Sequence, residues 1–139
     1  MQWDDTENAG FTGGTPWLRV NPNYPAINAR AQLADPDSLF HFYRRLIALR
    51  KDPEYRETLV YGATEPCLED MENLMAYHRR GERDILVLAN FQGEARDVPL
   101  PGEAKRILID NLDGCVIGGG RIALKGWQAV ALEMEENEA

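Results

Sequence analysis

Cysteine and histidine are almost missing from this 139-residue chain, which has two of each. Cys67 and Cys115 lie far apart, in no metal or redox spacing, and read as ordinary reduced thiols. His41 and His78 stand alone, one on the polar face of a helix and the other in a strand, with no second ligand at metal spacing. No metal site is therefore expected. Positive charge is also short: 15 Lys and Arg stand against 23 Asp and Glu, for a net charge of -8. Such a field repels phosphate backbones and anionic lipid, so neither nucleic acid nor a membrane is an expected partner, whereas a neutral sugar is compatible with it. No stretch approaches the roughly 18 apolar residues of a membrane span, and the opening Met1-Gln2-Trp3-Asp4-Asp5 lacks the pattern of a signal peptide. Cytoplasm is the expected location. A phosphate loop is missing too: Gly118-Gly119-Gly120 is followed by no helix start and no Lys-Ser/Thr pair, and reads as a turn. No cofactor is expected, and no Ser or Cys nucleophile arrangement is visible.

What is present has globular proportions, with 44% hydrophobic and 27% charged residues. Residues 1–36 are rich in Gly, Asn, Asp and Pro and show neither helical nor strand period. So long an irregular stretch is either functional or disordered, and Trp3, Phe11, Trp17 and Tyr24 argue that it is anchored on something. A helix is expected over 36–52, with Asp35 as N-cap, Pro36 at the first position, and Arg50 and Lys51 at its negative end before Pro53. Its Leu39, Phe40, Phe42, Tyr43, Leu46, Ile47 and Leu49 span about half the helix circumference, wider than a one-sided surface helix needs. From Thr58 onward the period becomes that of strands. They are expected at 59–61, 64–68, 74–79, 85–91, 95–100, 106–109, 121–124 and 128–134, with a hairpin at Arg80–Arg83. Ile85–Ala89, apolar without alternation, reads as a central strand. Val130, Leu132 and Met134 alternate with Ala129, Ala131 and Glu133, as in a half-buried one. Short strands in succession without helices between them indicate an antiparallel β-sandwich, and the acidic tail from Glu135 reads as solvated.

Asp4, Asp5 and Glu7 are the carboxylates of the aromatic, glycine-rich opening loop. Hydrolysis of a glycoside needs two carboxyl groups facing each other across a sugar, and nothing in this spacing sets two of them opposite. Capping and loop roles are the leading reading, with substrate contact the alternative. Trp3, Phe11 and Trp17 pin the loop to its own protein or offer ring faces to a pyranose, Trp3 being the first choice for the second role.

The passages Met1-Gln2-Trp3-Asp4-Asp5, Asn8-Ala9-Gly10-Phe11-Thr12, Thr15-Pro16-Trp17, Val20-Asn21-Pro22-Asn23-Tyr24, Ile27-Asn28, Asp35-Pro36-Asp37-Ser38, Leu46-Ile47 and Leu49-Arg50-Lys51 together resemble one family. It is the oligo-1,6-glucosidase-like branch of the α-amylase superfamily, glycoside hydrolase family 13. Leu86–Phe91 and Gln128–Val130 match more loosely. The resemblance implies that residues 1–54 are the end of a catalytic (β/α)8 barrel, namely the loop after strand eight and the last helix. It implies that residues 55–139 are a C-terminal all-β sandwich domain. The fold class expected is thus mainly β, preceded by an irregular loop and one α-helix.

In that family α-glucosidic bonds are cleaved with retention by an Asp nucleophile, a Glu acid/base and a second Asp. The resemblance places all three before Met1, so no catalytic residue is expected here, and Gln2, Trp3 and Asp4 are the candidates for the rim of the substrate pocket. Met1 coincides with a methionine inside the family's motif, so the chain is expected to begin within a longer enzyme. The expected partners are the catalytic barrel, an α-gluco-oligosaccharide bound by the whole enzyme, and a second copy meeting the apolar face of the 36–52 helix. Two rival readings are a carbohydrate-binding β-sandwich module and a non-enzymatic relative such as a transporter heavy-chain ectodomain.

Overall fold

A computed structural model describes residues 1–135. The acidic tail expected past Glu135 lies outside the described residues. The chain divides into two compact units, Met1–Leu46 and Ile47–Ala139.

In the first unit the backbone winds through turns to a short helix, α1 (Ala29–Ala34), and then enters a longer one, α2 (Leu39–Lys51), within which the division falls. Helix α1 was not expected from periodicity. Its cap explains it: Asn28 is buried, its Oδ1 accepts from the Ala31 amide at 2.8 Å, and its Nδ2 donates to the Tyr24 carbonyl at 2.9 Å. The expected N-cap of the second helix is corrected. Asp35 ends α1, accepts the Asp37 amide on its carboxylate at 3.0 Å and turns the chain over Pro36, so α2 starts only at Leu39. Gln32 reaches forward to accept the Phe40 amide at 3.2 Å, and the Ser38 carbonyl accepts that of Phe42 at 3.0 Å. The first contact satisfies an amide that a helix start leaves unpaired, and the second is the first bond of the helix itself.

The second unit is mainly sheet, and every pairing described is antiparallel. Its strands are β1 (Ala63–Pro66), β2 (Leu74–Arg80), β3 (Asp84–Asn90), β4 (Arg96–Pro99), β5 (Ala104–Asp110), β6 (Val116–Gly118), β7 (Arg121–Leu124) and β8 (Ala129–Met134). Five form a sheet in the order β1-β2-β3-β8-β5, and three form another in the order β4-β7-β6. Both sheets contribute to one apolar cluster: Leu86 and Leu88 from β3, Val98 from β4, Ile122 and Leu124 from β7, and Val130, Leu132 and Met134 from β8. Each such side chain, fully removed from water, stabilises the fold by about 1.5–3 kcal/mol.

The run Ile85–Ala89 occupies the centre of the larger sheet, as its unbroken hydrophobicity indicated. Its second face is covered too. Tyr55 packs with Ile85 and Ala131, flanked by Leu49 at the end of α2 and by Leu59. That cover corrects two expectations. Strand β8 is not half-buried, because everything from Val130 to Met134 is buried, Glu133 included. Residues 59–61 are not a strand but part of a wide helical turn, Glu57–Tyr61. Thr58 explains the turn, being buried while its Oγ1 accepts the Arg83 amide at 3.1 Å from the β2–β3 hairpin. Strand β6 was not foreseen, being three exposed residues that end in glycine. At Gly126 the chain crosses so close to Gly93 that a Cβ would lie 2.0 Å from its carbonyl oxygen, so only glycine fits.

Candidate functional site

The opening loop is shaped by three consecutive left-handed residues, Asn8, Ala9 and Gly10. Asparagine and glycine tolerate this conformation and alanine does not readily, so the neighbours must hold it. The Asn8 side-chain amide donates to the Thr12 and Gly14 carbonyls at 3.2 and 3.0 Å, and the buried Ala9 accepts the Trp3 amide at 3.0 Å. At Gly10 a Cβ would press on the Asp4 carboxylate at 3.0–3.1 Å, so the turn brings bare backbone against that side chain.

The three rim candidates are adjacent in sequence and differ in their contacts. The Gln2 and Trp3 carbonyls accept the amides of Ala29 and Arg30 at 2.9 and 3.0 Å, stitching this segment to the start of α1. Gln2 donates from Nε2 to Asn23 at 2.6 Å and lines a groove of about 450 Å³ together with Phe11, Thr12, Trp17 and Val20. Trp3 and Asp4 are not among the residues that line it. The Trp3 ring is half exposed, and Trp17 is exposed over 92% of its surface. Flat apolar rings beside amide side chains can bind the C–H and O–H groups of a sugar.

Asp4 is fully engaged. Its Oδ1 accepts the Thr6 amide at 3.0 Å and also the Thr6 hydroxyl, while its Oδ2 takes Arg30 at 2.8 Å. The Thr6 hydroxyl and amide, with Arg30 adding to them, hold the carboxyl below its ordinary range. The other guanidinium nitrogen of Arg30 reaches Asp5 at 2.8 Å. Asp4 and Asp5 therefore bracket one cation rather than a substrate-sized gap.

The second unit holds a charged cluster that the sequence reading missed. Glu133 is 2% exposed. Its Oε2 accepts from the Tyr55 hydroxyl at 3.0 Å and Arg106 Nε at 2.6 Å; its Oε1 accepts from Arg83 at 2.6 Å and Lys105 at 3.1 Å. Glu54 joins Arg83 and Arg106 from outside at 3.0 and 2.7 Å. Burial works to raise the Glu133 carboxyl, but the bonds from Arg106, Lys105, Tyr55 and Arg83 outweigh it and bring it to about 2. The Tyr55 phenol is pushed up to about 12 by burial and by its bond to that carboxylate. A bulge makes the cluster possible. Ala104 pairs with Met134 and Arg106 with Glu133, leaving Lys105 as the extra residue, so two neighbours on β5 reach one carboxylate. The Lys105-Arg106 doublet was the available signal, but pairing across the sheet is not written in local periodicity.

The histidine in the strands and the two thiols show no activated group. His78 is buried against Asp84 at 2.6 Å. Burial, and then the nearby Asp110 carboxylate, push the Cys115 thiol up to about 11, and burial also raises that of Cys67, so neither is an activated thiolate. Among the described residues no group of three His, Cys, Asp or Glu could hold a metal, and no helix is long and apolar enough to cross a membrane.

Comparison with known proteins gives this geometry its context. Residues 1–62 match the family described as the alpha amylase catalytic domain. The chain is 46% identical over 118 residues to an oligo-1,6-glucosidase of Parageobacillus thermoglucosidasius, a match covering 81% of this chain and 20% of that protein. It is 38% identical over 135 residues to a glucan 1,6-alpha-glucosidase of Streptococcus pneumoniae, covering 96% of this chain and 24% of that protein. Its structure superposes on an isomaltulose synthase variant of Erwinia rhapontici NX5, solved with D-glucose, with a TM-score of 0.87 and 35% identity over 97% of this chain and 24% of that one. The chain belongs to the alpha-amylase family, glycoside hydrolase family 13. The chain spans about a fifth to a quarter of the length of the oligo-1,6-glucosidase and the glucan 1,6-alpha-glucosidase that it matches.

Proposed function

We propose that this chain is the C-terminal, non-catalytic part of a retaining α-glucosidase acting on short gluco-oligosaccharides of the isomaltose or dextrin type. In this reading residues 1–54 are the end of the catalytic barrel and residues 55–139 a β-sandwich that packs against it. Two sheets sharing one apolar cluster support the sandwich. The enzyme is cytoplasmic, takes no cofactor, and places Gln2, Trp3 and Asp4 at the rim of its pocket.

The observation that carries the reading is the fate of Asp4 and Asp5. Retaining hydrolysis needs a nucleophilic carboxylate and a protonated partner about 5–5.5 Å apart across the sugar. Two carboxylates bound to opposite nitrogens of Arg30, one of them held below its ordinary range, offer no proton donor. This engagement of Asp4 and Asp5 supports the reading that catalysis belongs to barrel residues outside these 139. The purified chain, incubated with isomaltose, maltose and an aryl α-glucoside, is expected to release no glucose. Turnover that survives repurification and disappears in Asp4→Asn would overturn the reading.

Leu39, Phe40, Tyr43 and Ile47 of α2 are all exposed, and in this reading the barrel covers them. Without that cover a second copy of the chain does so, and sedimentation should show a concentration-dependent mass that Phe40→Ser with Ile47→Ser abolishes. One observation favours a sugar-binding module instead. Phe91 and Trp127 are both exposed at one end of the strands, where the Trp127 amide donates to Gln92 at 3.0 Å. Oligosaccharide retention lost in Trp127→Ala but kept in Gln2→Ala would support that alternative.

A further inference from the structure

We infer that a cleft on the outer face of the larger sheet, between Arg50 and Arg79, is a binding site for a doubly charged oxyanion of the phosphate class. The cleft, of about 410 Å³, is lined by Arg50 at the end of α2, Leu59 and Val60 of the wide turn, and Thr64, Tyr77 and Arg79 on β1 and β2. All of it lies within the second unit.

Two guanidinium groups converge there on one acceptor. Arg50 donates from Nη1 to the Leu59 carbonyl at 3.2 Å, and Arg79 donates from Nη2 to the same oxygen at 3.4 Å. Arg79 also donates from Nη1 to the Thr64 hydroxyl. Its Nε is out of contact with solvent and has no hydrogen-bond partner among the described residues. The ion pairs formed among the described residues use Arg30, His78, Arg80, Arg83, Lys105 and Arg106, and none uses Arg50 or Arg79.

In a chain of net charge -8, two like-charged side chains brought together over a single neutral oxygen are an unusual arrangement. Their mutual repulsion is relieved by an anion seated between them, and the charge count selects its kind. One carboxylate would balance one guanidinium. A phosphate dianion balances both and offers enough acceptor oxygens for forked donors from two directions, with the Tyr77 and Thr64 hydroxyls beside them. Leu59, Val60 and Val87 add an apolar wall, which leaves room for the organic part of a phosphate monoester as well as for the free ion. This site is independent of the rim at Gln2, Trp3 and Asp4 and of the glucosidase reading.

The test is a titration of the 15N-labelled 139-residue chain with inorganic phosphate and with glucose 6-phosphate at constant ionic strength, following the Nε–H resonances of Arg50 and Arg79. Acetate, glucose and sodium chloride are the controls. Saturable shifts are expected with both phosphates, at least ten-fold weaker with acetate and absent with glucose. Because a phosphate monoester loses its second proton near pH 6, glucose 6-phosphate should bind about ten-fold more weakly at pH 5 than at pH 7.5. Whichever phosphate saturates at the lower concentration identifies the source. Arg50→Gln, at an exposed position, should weaken binding at least ten-fold with an unchanged melting temperature, as should Arg79→Gln if it stays folded. Shifts that track ionic strength alone, acetate binding as tightly as phosphate, or full binding by Arg50→Gln would each overturn the assignment.

Discussion

In the first 46 residues Ala9, Asn28 and Ser38 are the buried side chains, whereas the strands of the second unit bury leucines, isoleucines and valines on both faces of one sheet. The opening segment is held in shape by polar bonds from Asn8, Asn28, Asp4 and Arg30. The strand unit is held by apolar area, with one buried charge cluster set into it. Polar bonds specify a conformation well but add modestly to net stability, because water competes for the same groups in the unfolded chain. Two adjoining stretches of one chain thus divide the work. One presents side chains on a loop, and the other supplies the free energy.

The sharpest way to break this comparison is to delete apolar volume in each half. Leu132, fully buried, should cost about 2–5 kcal/mol as Leu132→Ala in urea unfolding, while Trp17→Ala should change stability by less than about 0.5 kcal/mol despite removing a larger side chain. A large loss at Trp17 would mean that the loop carries a core of its own.

Next in size is the charge cluster. Glu133→Gln keeps the shape but removes the charge that Arg83, Lys105 and Arg106 surround, and should cost about 2 kcal/mol at pH 7. The pH dependence has a definite sign. The folded-state carboxyl, at about 2, lies below its ordinary 4.5, so its contribution is fully present above pH 4.5 and is lost as pH falls toward 2. Asp110, also held low, adds to the same acid loss: against the opposing effect of its burial, bonds from Gln128 and from the Leu112 and Cys115 amides favour its charged form. The urea midpoint of the wild type should fall between pH 4.5 and 2.5 by more than that of Glu133→Gln. Equal falls would show that Glu133 is not what titrates.

Smaller again is the loop's own fastening. Asn28→Ala removes the cap of α1 and the bond to Tyr24, and should cost about 1 kcal/mol. Amide exchange should quicken at residues 29–34 and stay unchanged in β3 and β8. Faster exchange in the strands as well would erase the distinction between the two regions.

Legibility from sequence followed the same division. Strand β7 was expected at Arg121–Leu124 and is found there, and β2 and β3 differ by a residue at their ends, because alternation and β-branched runs are local signals. The helix start was misplaced because Asp35 and Pro36 suit a turn as well as a cap, and only the reach of Gln32 decides between them. The turn at Glu57–Tyr61 looked like a strand because Leu59, Val60 and Tyr61 favour one, until burial against Ile85 and the Thr58 bond to the hairpin overrode propensity. Glu133 sat at a position that alternation assigns to solvent. Its partners come from the post-helix segment, a hairpin and a bulge, and no window of sequence contains all three. At the rim, resemblance pointed to Gln2, Trp3 and Asp4 together. The folded loop sends Gln2 to the Phe11 and Trp17 groove and ties Asp4 to Arg30.

The proposal at the centre of this account is that none of the carboxylates in this chain is a glycosidic nucleophile. A fluorinated α-glucosyl fluoride that traps the glycosyl–enzyme ester tests it directly, because a retaining nucleophile gains one sugar mass and holds it. Intact-mass spectrometry of the chain after prolonged incubation should show the unmodified mass alone. A stoichiometric sugar adduct mapping to Asp4, Asp5 or Glu7 would contradict the account.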